Sequence, residues 1–199
     1  MKIIGITGGV GAGKSAVLDY LQSRYNAYAI QADRVGHQLM EPGGSCFLSV
    51  INLLGREILD EKGEIDRGKV AALVFPYPQT LAQLNGIIHP AVKREIRRRI
   101  ALEEEGGRKV FVIEAALLLE DHYDEICHDI WYIYAPDKAR RERLKKQRGY
   151  TERKIADIFK NQQTDAVFRQ KCSYTVENGG DLQETYRQID KRMETYEFM

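Results

Sequence analysis

The chain has 199 residues, of which 43% are hydrophobic, enough to bury one sizeable core. Thirty Lys and Arg balance 29 Asp and Glu, so the overall charge predicts neither a nucleic-acid polymer nor a membrane surface as a partner. The three cysteines lie far apart without C-x-x-C spacing, which argues against a disulfide framework and a structural zinc site. The amino terminus lacks a signal-peptide pattern and no apolar run reaches membrane-spanning length, so we expect a cytoplasmic protein.

Short β-rich runs alternate with longer helical segments, which is the pattern of an α/β fold with a parallel sheet covered on both faces. Two runs, KVFVIE and DIWYIY, are apolar at consecutive positions, as expected for strands buried on both faces. We therefore predict a five-stranded parallel sheet flanked by helices, with strands at 2–7, 27–31, 109–114, 129–134 and 172–177.

A long segment of mostly helical character separates the second and third predicted strands. It has about 75 residues, which is too long for one crossover helix, so we predict a helical insertion beside the sheet. Glycines and prolines within it predict several breaks, and Pro90 is expected to end the helix before it. Because ligand clefts commonly form beside such subdomains, the insertion is a natural place for an acceptor substrate.

The sequence GGVGAGKS follows the first predicted strand and opens a helix, and it matches the phosphate-binding P-loop pattern. Glycines permit the required turns, while backbone amides and the positive end of the helix stabilise phosphate. We expect Lys14 to reach the β- and γ-phosphates and Ser15 to place its hydroxyl on Mg²⁺. The alternative is a glycine-rich turn with an incidental lysine. The predicted ATP-binding residues of the loop are Gly8, Gly9, Val10, Gly11, Ala12, Gly13, Lys14 and Ser15.

Two acidic residues come at the ends of predicted strands. Asp33 follows the second strand, where an α/β sheet opens toward its ligand crevice, and a carboxylate there can take a proton from an acceptor hydroxyl. The alternative role for Asp33 is an N-cap of the following helix. Glu114 ends the run VFVI, from which an acid can meet the Mg²⁺ shell, or it is a structural acid at the end of a strand.

The segment from Lys138 to Lys154 carries nine Lys or Arg against two Asp or Glu. Helical spacing places Arg140 and Arg143 on a different face from Arg141, so only some of these cations can face ATP at once. The remainder are expected to form a solvated basic face.

Several segments occur in the order and spacing of one enzyme family. They are GITGGVGAGKS, QADRVGHQLMEPGG, GEIDRGKVAALVF, IIHP, the strand leading to LLLE, the arginine-rich segment after Pro136, and YTVENGGDLQE. Together they resemble the dephospho-CoA kinase family over nearly the whole chain. The resemblance implies a single P-loop kinase domain over residues 1–199, with a helical CoA-binding region at 33–108 and a basic lid at 137–163.

The resemblance also implies roles for individual residues. Asp33 matches the second acid of the family's Asp-Ala-Asp and is the expected catalytic base, whereas Gln31 replaces the first acid. Asp66 and His89 match acceptor-binding residues, although an N-cap for Asp66 and a packed structural role for His89 are the alternatives.

Three further positions complete the comparison with the family pattern. Arg148 matches the catalytic, ATP-binding lid arginine, with a solvated basic face as the alternative. Asn178 matches a residue beside adenine, although Asn-Gly is also a strong turn signal. The family more often has aspartate at the position of Glu114 and arginine at that of Ile158.

The expected reaction is ATP-dependent phosphorylation of the ribose 3′-hydroxyl of dephospho-CoA, giving CoA and ADP with Mg²⁺ as cofactor. This is the last step of coenzyme A biosynthesis. The alternatives are another small-molecule P-loop kinase and an ATP-dependent binding or regulatory protein with weakened catalysis. The sequence leaves the oligomeric state open.

Overall fold

The computed structural model describes residues 1–196, and its central feature is a five-stranded sheet. The strands are β1 (Lys2–Thr7), β2 (Tyr28–Gln31), β3 (Val110–Glu114), β4 (Asp129–Tyr134) and β5 (Tyr174–Glu177). Their spatial order is β2-β3-β1-β4-β5, and all are parallel. The predicted parallel sheet is therefore confirmed, with three strands beginning one or two residues later than expected.

The α-helices in the described residues connect and cover these strands. They are α1 (Lys14–Tyr25), α2 (Ala32–Leu39), α3 (Phe47–Leu54), α4 (Arg67–Val74), α5 (Pro78–Glu105), α6 (Asp137–Arg148), α7 (Glu152–Lys160), α8 (Asp165–Lys171) and α9 (Leu182–Met193). Short 3₁₀ turns occur at Arg56–Ile58 and Tyr123–Glu125. None of the helices within residues 1–196 is long and apolar enough to cross a membrane.

The chain divides into two compact units. The sheet unit comprises residues 1–29 and the described residues from 102 onward, and the helical unit comprises residues 30–101. Each unit has its own apolar core. The sheet unit buries Ile4, Ile6, Leu21, Val112 and Trp131 among others, and the helical unit buries Val50, Ile58, Val74 and Leu84.

A buried polar network at the start of β4 fixes the carboxyl-terminal helix of the sheet unit. Asp129 is 5% exposed and accepts hydrogen bonds from several side chains. The donors are Ser173, Trp131, Tyr196 and Arg192. Burial alone raises the pKa of Asp129, but these hydrogen bonds outweigh burial and hold the pKa below its usual value.

The prediction that Pro90 ends a helix is wrong, because α5 continues through it from Pro78 to Glu105. Proline lacks an amide hydrogen and its ring crowds the carbonyl four residues earlier, at a cost of about 3 kcal/mol. That earlier residue is Gly86, whose surroundings are open. Leu84 and Ala91, on either side of Pro90 in sequence, are buried in the core of the helical unit. Packing therefore outweighs the local preference for a helix end.

Candidate active site

The predicted P-loop joins β1 to α1 and has the backbone conformation that its glycines permit. Gly8, Gly11 and Gly13 all have positive φ, and Gly13 is the N-cap residue of α1. At Gly8 a Cβ atom would collide with the backbone carbonyl oxygen of Ile133 in β4. Only glycine therefore allows the loop to pass so close to the neighbouring strand.

Lys14 and Glu114 lie together at the loop. Lys14 Nζ donates a hydrogen bond of 2.9 Å to the Gly8 carbonyl and lies 3.5 Å from Glu114 Oε1. The sheet explains this proximity, because β3 lies beside β1 with Ile6 opposite Glu114. Both side chains are largely buried, at 15% and 12% exposed, so their charges interact in a poorly solvated environment.

The donor set at the loop fits Mg²⁺ held together with nucleotide phosphates. Residues 1–196 contain no group of three or more His, Cys, Asp or Glu side chains that could hold a metal by themselves. Mg²⁺ in kinases usually takes only one or two protein oxygens and obtains the rest from phosphates and water. The Ser15 hydroxyl, in the first turn of α1, and the Glu114 carboxylate are oxygen donors of the required kind.

Two arginines of α6 contact the P-loop, and the sequence alone did not single them out. Arg140 Nε donates to the Val10 carbonyl at 3.0 Å. Arg143 donates to the Ala12 carbonyl at 3.1 Å and to the Asn178 carbonyl at 2.7 Å. The two arginines are three residues apart and therefore lie on the same face of the helix, and Arg143 is followed by the buried Leu144. This pattern is the sequence signal that could have identified the face of α6 that contacts the loop.

Asn178 supports the base of the loop in this structure. Its side chain is buried, with Nδ2 donating to the Ala12 carbonyl at 2.7 Å and Oδ1 accepting from the Thr185 hydroxyl at 3.0 Å. Its backbone amide donates to the Tyr134 carbonyl. These bonds give Asn178 a positioning role at the loop, and its contact with adenine stays a prediction.

Arg148 lies at the other end of α6. It is the last residue of the helix, is exposed, and precedes Gly149, which ends the helix with a positive φ. Eight residues separate it from Arg140, which corresponds to about 12 Å along a helix axis. The expected lid arginine is therefore not among the α6 residues that hydrogen-bond to the loop.

The three residues expected to meet the acceptor belong to the helical unit. Asp33 is exposed in the first turn of α2, but the N-cap position is Gln31, so the alternative of Asp33 as N-cap is wrong. Asp66 does cap α4, because its Oδ1 accepts from the amides of Gly68 and Lys69. His89 is half-buried within α5 and has interactions of its own.

His37 is a neighbour of Asp33 that the sequence did not indicate. It lies four residues after Asp33 in α2, on the same face of the helix. Burial, together with the positive charge of Arg67, lowers the pKa of His37, and Asp33 opposes this effect. We therefore expect His37 to be neutral at pH 7.

Comparison with known proteins identifies the family. A model of the dephospho-CoA kinase family matches residues 2–184. The chain belongs to this family. It is 35% identical over 198 residues to the dephospho-CoA kinase of Corynebacterium diphtheriae, covering 98% of both chains. It is 34% identical to the enzyme of Aquifex aeolicus, covering 96% of this chain and 95% of the relative.

Solved structures agree on the fold. A Thermus thermophilus protein, TT1252, superposes with a TM-score of 0.80 at 26% identity, covering 97% of this chain and 96% of its own. The dephospho-CoA kinase of Campylobacter jejuni gives a TM-score of 0.71 at 17% identity, with 98% and 96% covered. Shikimate kinase from Bacteroides thetaiotaomicron gives 0.55 at 12% identity, with 97% and 96% covered. The predicted P-loop kinase fold is thus confirmed.

Proposed function

We propose that this chain phosphorylates the ribose 3′-hydroxyl of dephospho-CoA with ATP, giving CoA and ADP in the last step of coenzyme A biosynthesis. The observation that carries the proposal is the family match over residues 2–184, which includes the helical unit as well as the P-loop. A P-loop alone would not select an acceptor. The proposal includes a cytoplasmic location, where ATP is available and the free cysteines Cys46, Cys127 and Cys172 stay reduced.

The loop binds the phosphates of ATP through its backbone amides and the amino-terminal end of α1. Lys14 binds the β- and γ-phosphates, exchanging part of its contact with Glu114 for a phosphate oxygen. Ser15 and Glu114 would hold Mg²⁺, which would supply positive charge to stabilise the phosphate oxygens. Asn178 and Arg143 stabilise the conformation of the loop by donating hydrogen bonds to the Ala12 carbonyl.

Asp33 accepts the proton of the 3′-hydroxyl as this oxygen attacks the γ-phosphorus. Its exposed position in the first turn of α2 leaves the carboxylate open to a substrate. Asp66 uses Oδ1 to cap α4, and we assign Oδ2 to the acceptor. His89 completes the acceptor contacts, because an imidazole can bond either a phosphate or a ribose hydroxyl. Arg148 acts as the lid arginine and Asn178 lies on the adenine side.

An acceptor panel tests this function. The purified protein is incubated with Mg²⁺-ATP and, in separate reactions, with dephospho-CoA, AMP, adenosine or shikimate. Mass spectrometry measures the added phosphoryl group and chromatography compares the product with authentic CoA. We expect CoA and ADP in equal amounts from dephospho-CoA alone. Efficient phosphorylation of another acceptor without CoA formation would reject the proposal, and ATP binding without transfer would favour the regulatory alternative.

A further inference from the structure

The guanidinium of Arg140 lies directly over the first half of the P-loop. Its Nε donates to the Val10 carbonyl at 3.0 Å, and one terminal nitrogen donates to Gln162 Oε1 at 2.5 Å. The same terminal nitrogen lies too close to the position that a Cβ atom on Gly9 would take for both to fit. A residue with a side chain at position 9 would therefore displace the guanidinium from the loop.

The charge of Arg140 is buried and only weakly neutralised. The side chain is 14% exposed, and its carboxylate partner Asp137 is 3.3 Å away but 70% exposed. The ring of Phe159 lies 4.0 Å from the guanidinium carbon and offers a cation–π contact. An additional anion stabilises a buried cation more than an exposed one, because less water screens the attraction between the charges.

Arg140 retains hydrogen-bonding capacity in this position. A guanidinium has five N–H groups, and three of them contact Val10, Asp137 and Gln162. The remaining two can bond phosphate oxygens. Because the P-loop wraps its amides around phosphate, a donor lying on Gly9 and Val10 is placed at the margin of the phosphate site.

We propose that Arg140 is a catalytic residue whose guanidinium binds the transferring phosphoryl group and stabilises the charge that spreads over its oxygens during transfer. The inference rests on the proposed kinase function of the same loop. A cation in this place acts on the reaction itself, since phosphoryl transfer depends largely on positioning and electrostatic stabilisation.

The neighbouring arginines of α6 are held differently. The hydrogen bonds of Arg143 all go to backbone carbonyls, those of Gly11, Ala12 and Asn178, whereas Arg140 gives the loop one hydrogen bond and directs two others to side chains. Arg141 pairs with Glu152 at 2.9 Å and is 36% exposed. Both arginines pack on α7 against the ring of Phe159, but the guanidinium of Arg140 is closer, at 4.0 Å against 4.9 Å for Arg141.

The test compares Arg140→Gln and Arg140→Lys with the control Arg141→Gln. Glutamine keeps an N–H donor for the Val10 carbonyl but removes the charge, whereas lysine keeps the charge without the planar group of donors. Arg141→Gln removes one positive charge from the adjacent position of the same helix. For each protein we would measure single-turnover transfer to dephospho-CoA, ADP affinity by calorimetry and the thermal unfolding midpoint.

We expect Arg140→Gln to lower the transfer rate by about 10²-fold or more, with ADP affinity within about fivefold of wild type. Arg140→Lys should recover part of the rate, and Arg141→Gln should transfer at nearly the wild-type rate. Aluminium fluoride added with ADP and dephospho-CoA mimics the transferring phosphoryl group, so ADP should bind wild type more tightly in this mixture than alone. This increase in ADP affinity should disappear in Arg140→Gln. A merely structural role would leave the increase unchanged.

Two results would overturn the inference. One is transfer by Arg140→Gln at nearly the wild-type rate, and the other is an equal loss of ADP affinity and transfer, which would make Arg140 a support of the loop. If Arg140→Gln does not fold, the same criteria apply to Arg140→Lys, which should still transfer more slowly than Arg141→Gln. Should wild type fail to form CoA, the proposed function fails, and Arg140 is then judged by the rate of ATP hydrolysis in the same variants.

Discussion

Asp33→Asn separates the catalytic role of this carboxylate from its contribution to the fold. Asp33 is exposed in the first turn of α2 and does not cap the helix, so the amide loses only the favourable interaction of a negative charge with the helix amino terminus. That interaction contributes about 0.3–1 kcal/mol to stability. For a chain of this size, the thermal unfolding midpoint should fall by at most about 4 °C.

The expected effect on catalysis is much larger. A positioned general base contributes about 10²- to 10⁴-fold to the rate, which corresponds to roughly 3–5 kcal/mol of activation free energy. Asparagine keeps the size of the side chain but cannot accept the proton of the 3′-hydroxyl at neutral pH. Single-turnover transfer to dephospho-CoA should therefore slow by about 10²-fold or more. ATP affinity should stay within a few-fold, because the loop binds the phosphates.

The matched control is Glu41→Gln, which removes another exposed carboxylate just beyond the end of α2. Its transfer rate should remain within about twofold of wild type, as for most surface substitutions. Transfer by Asp33→Asn at nearly the wild-type rate would refute the assignment of the base. A large loss of ATP affinity with little other change would instead assign Asp33 to the metal shell.

Two other substitutions test the loop and the fold. Lys14→Ala should lower transfer by about 10²-fold or more with the fold preserved, and unchanged turnover in a folded variant would remove the loop lysine from the mechanism. Asp129→Asn should lower the free energy of unfolding by about 3 kcal/mol at pH 6, because Arg192 loses its buried carboxylate partner. Since the folded-state pKa of Asp129 lies below its usual 3.8, this stabilisation is present above that pH and is lost as the pH falls through the lowered pKa. Urea unfolding from pH 6 to pH 2 should show the difference between the two proteins shrinking, and a constant difference would contradict the reasoning.

The strands could be predicted because burial on both faces leaves a direct trace in the sequence. Ile3 to Ile6 and Val110 to Ile113 are apolar or glycine at every position, and all of these residues are buried. The fifth strand begins later than predicted because Cys172 still belongs to the end of α8, where its amide bonds the Phe168 carbonyl. Strand ends depend on such neighbouring helices, which an apolar pattern does not reveal.

Two rules based on local sequence failed in the helical unit. Pro90 favours a helix end, but the apolar residues on either side of it are buried in one core and keep α5 continuous. Asp33 is a good N-cap residue by type, yet α2 begins two residues earlier, with Gln31 as N-cap. For Pro90 the deciding contacts are made by neighbouring residues in the core, and for Asp33 the helix begins earlier than the residue type suggests.

The basic segment shows why charge alone did not identify the arginines that contact the loop. The sequence indicates that α6 is rich in cations, but the distance between α6 and the loop depends on glycines more than 125 residues earlier. A Cβ atom on Gly11 would lie 2.9 Å from the Arg140 carbonyl oxygen and 3.0 Å from the Leu144 side chain, so glycine lets the helix backbone approach the loop this closely. At that distance Arg140 and Arg143 bond loop carbonyls, whereas Arg148 lies about two helical turns further along. The first half of α6 is therefore held against the loop by these contacts, whereas the lid over residues 137–163 stays a prediction.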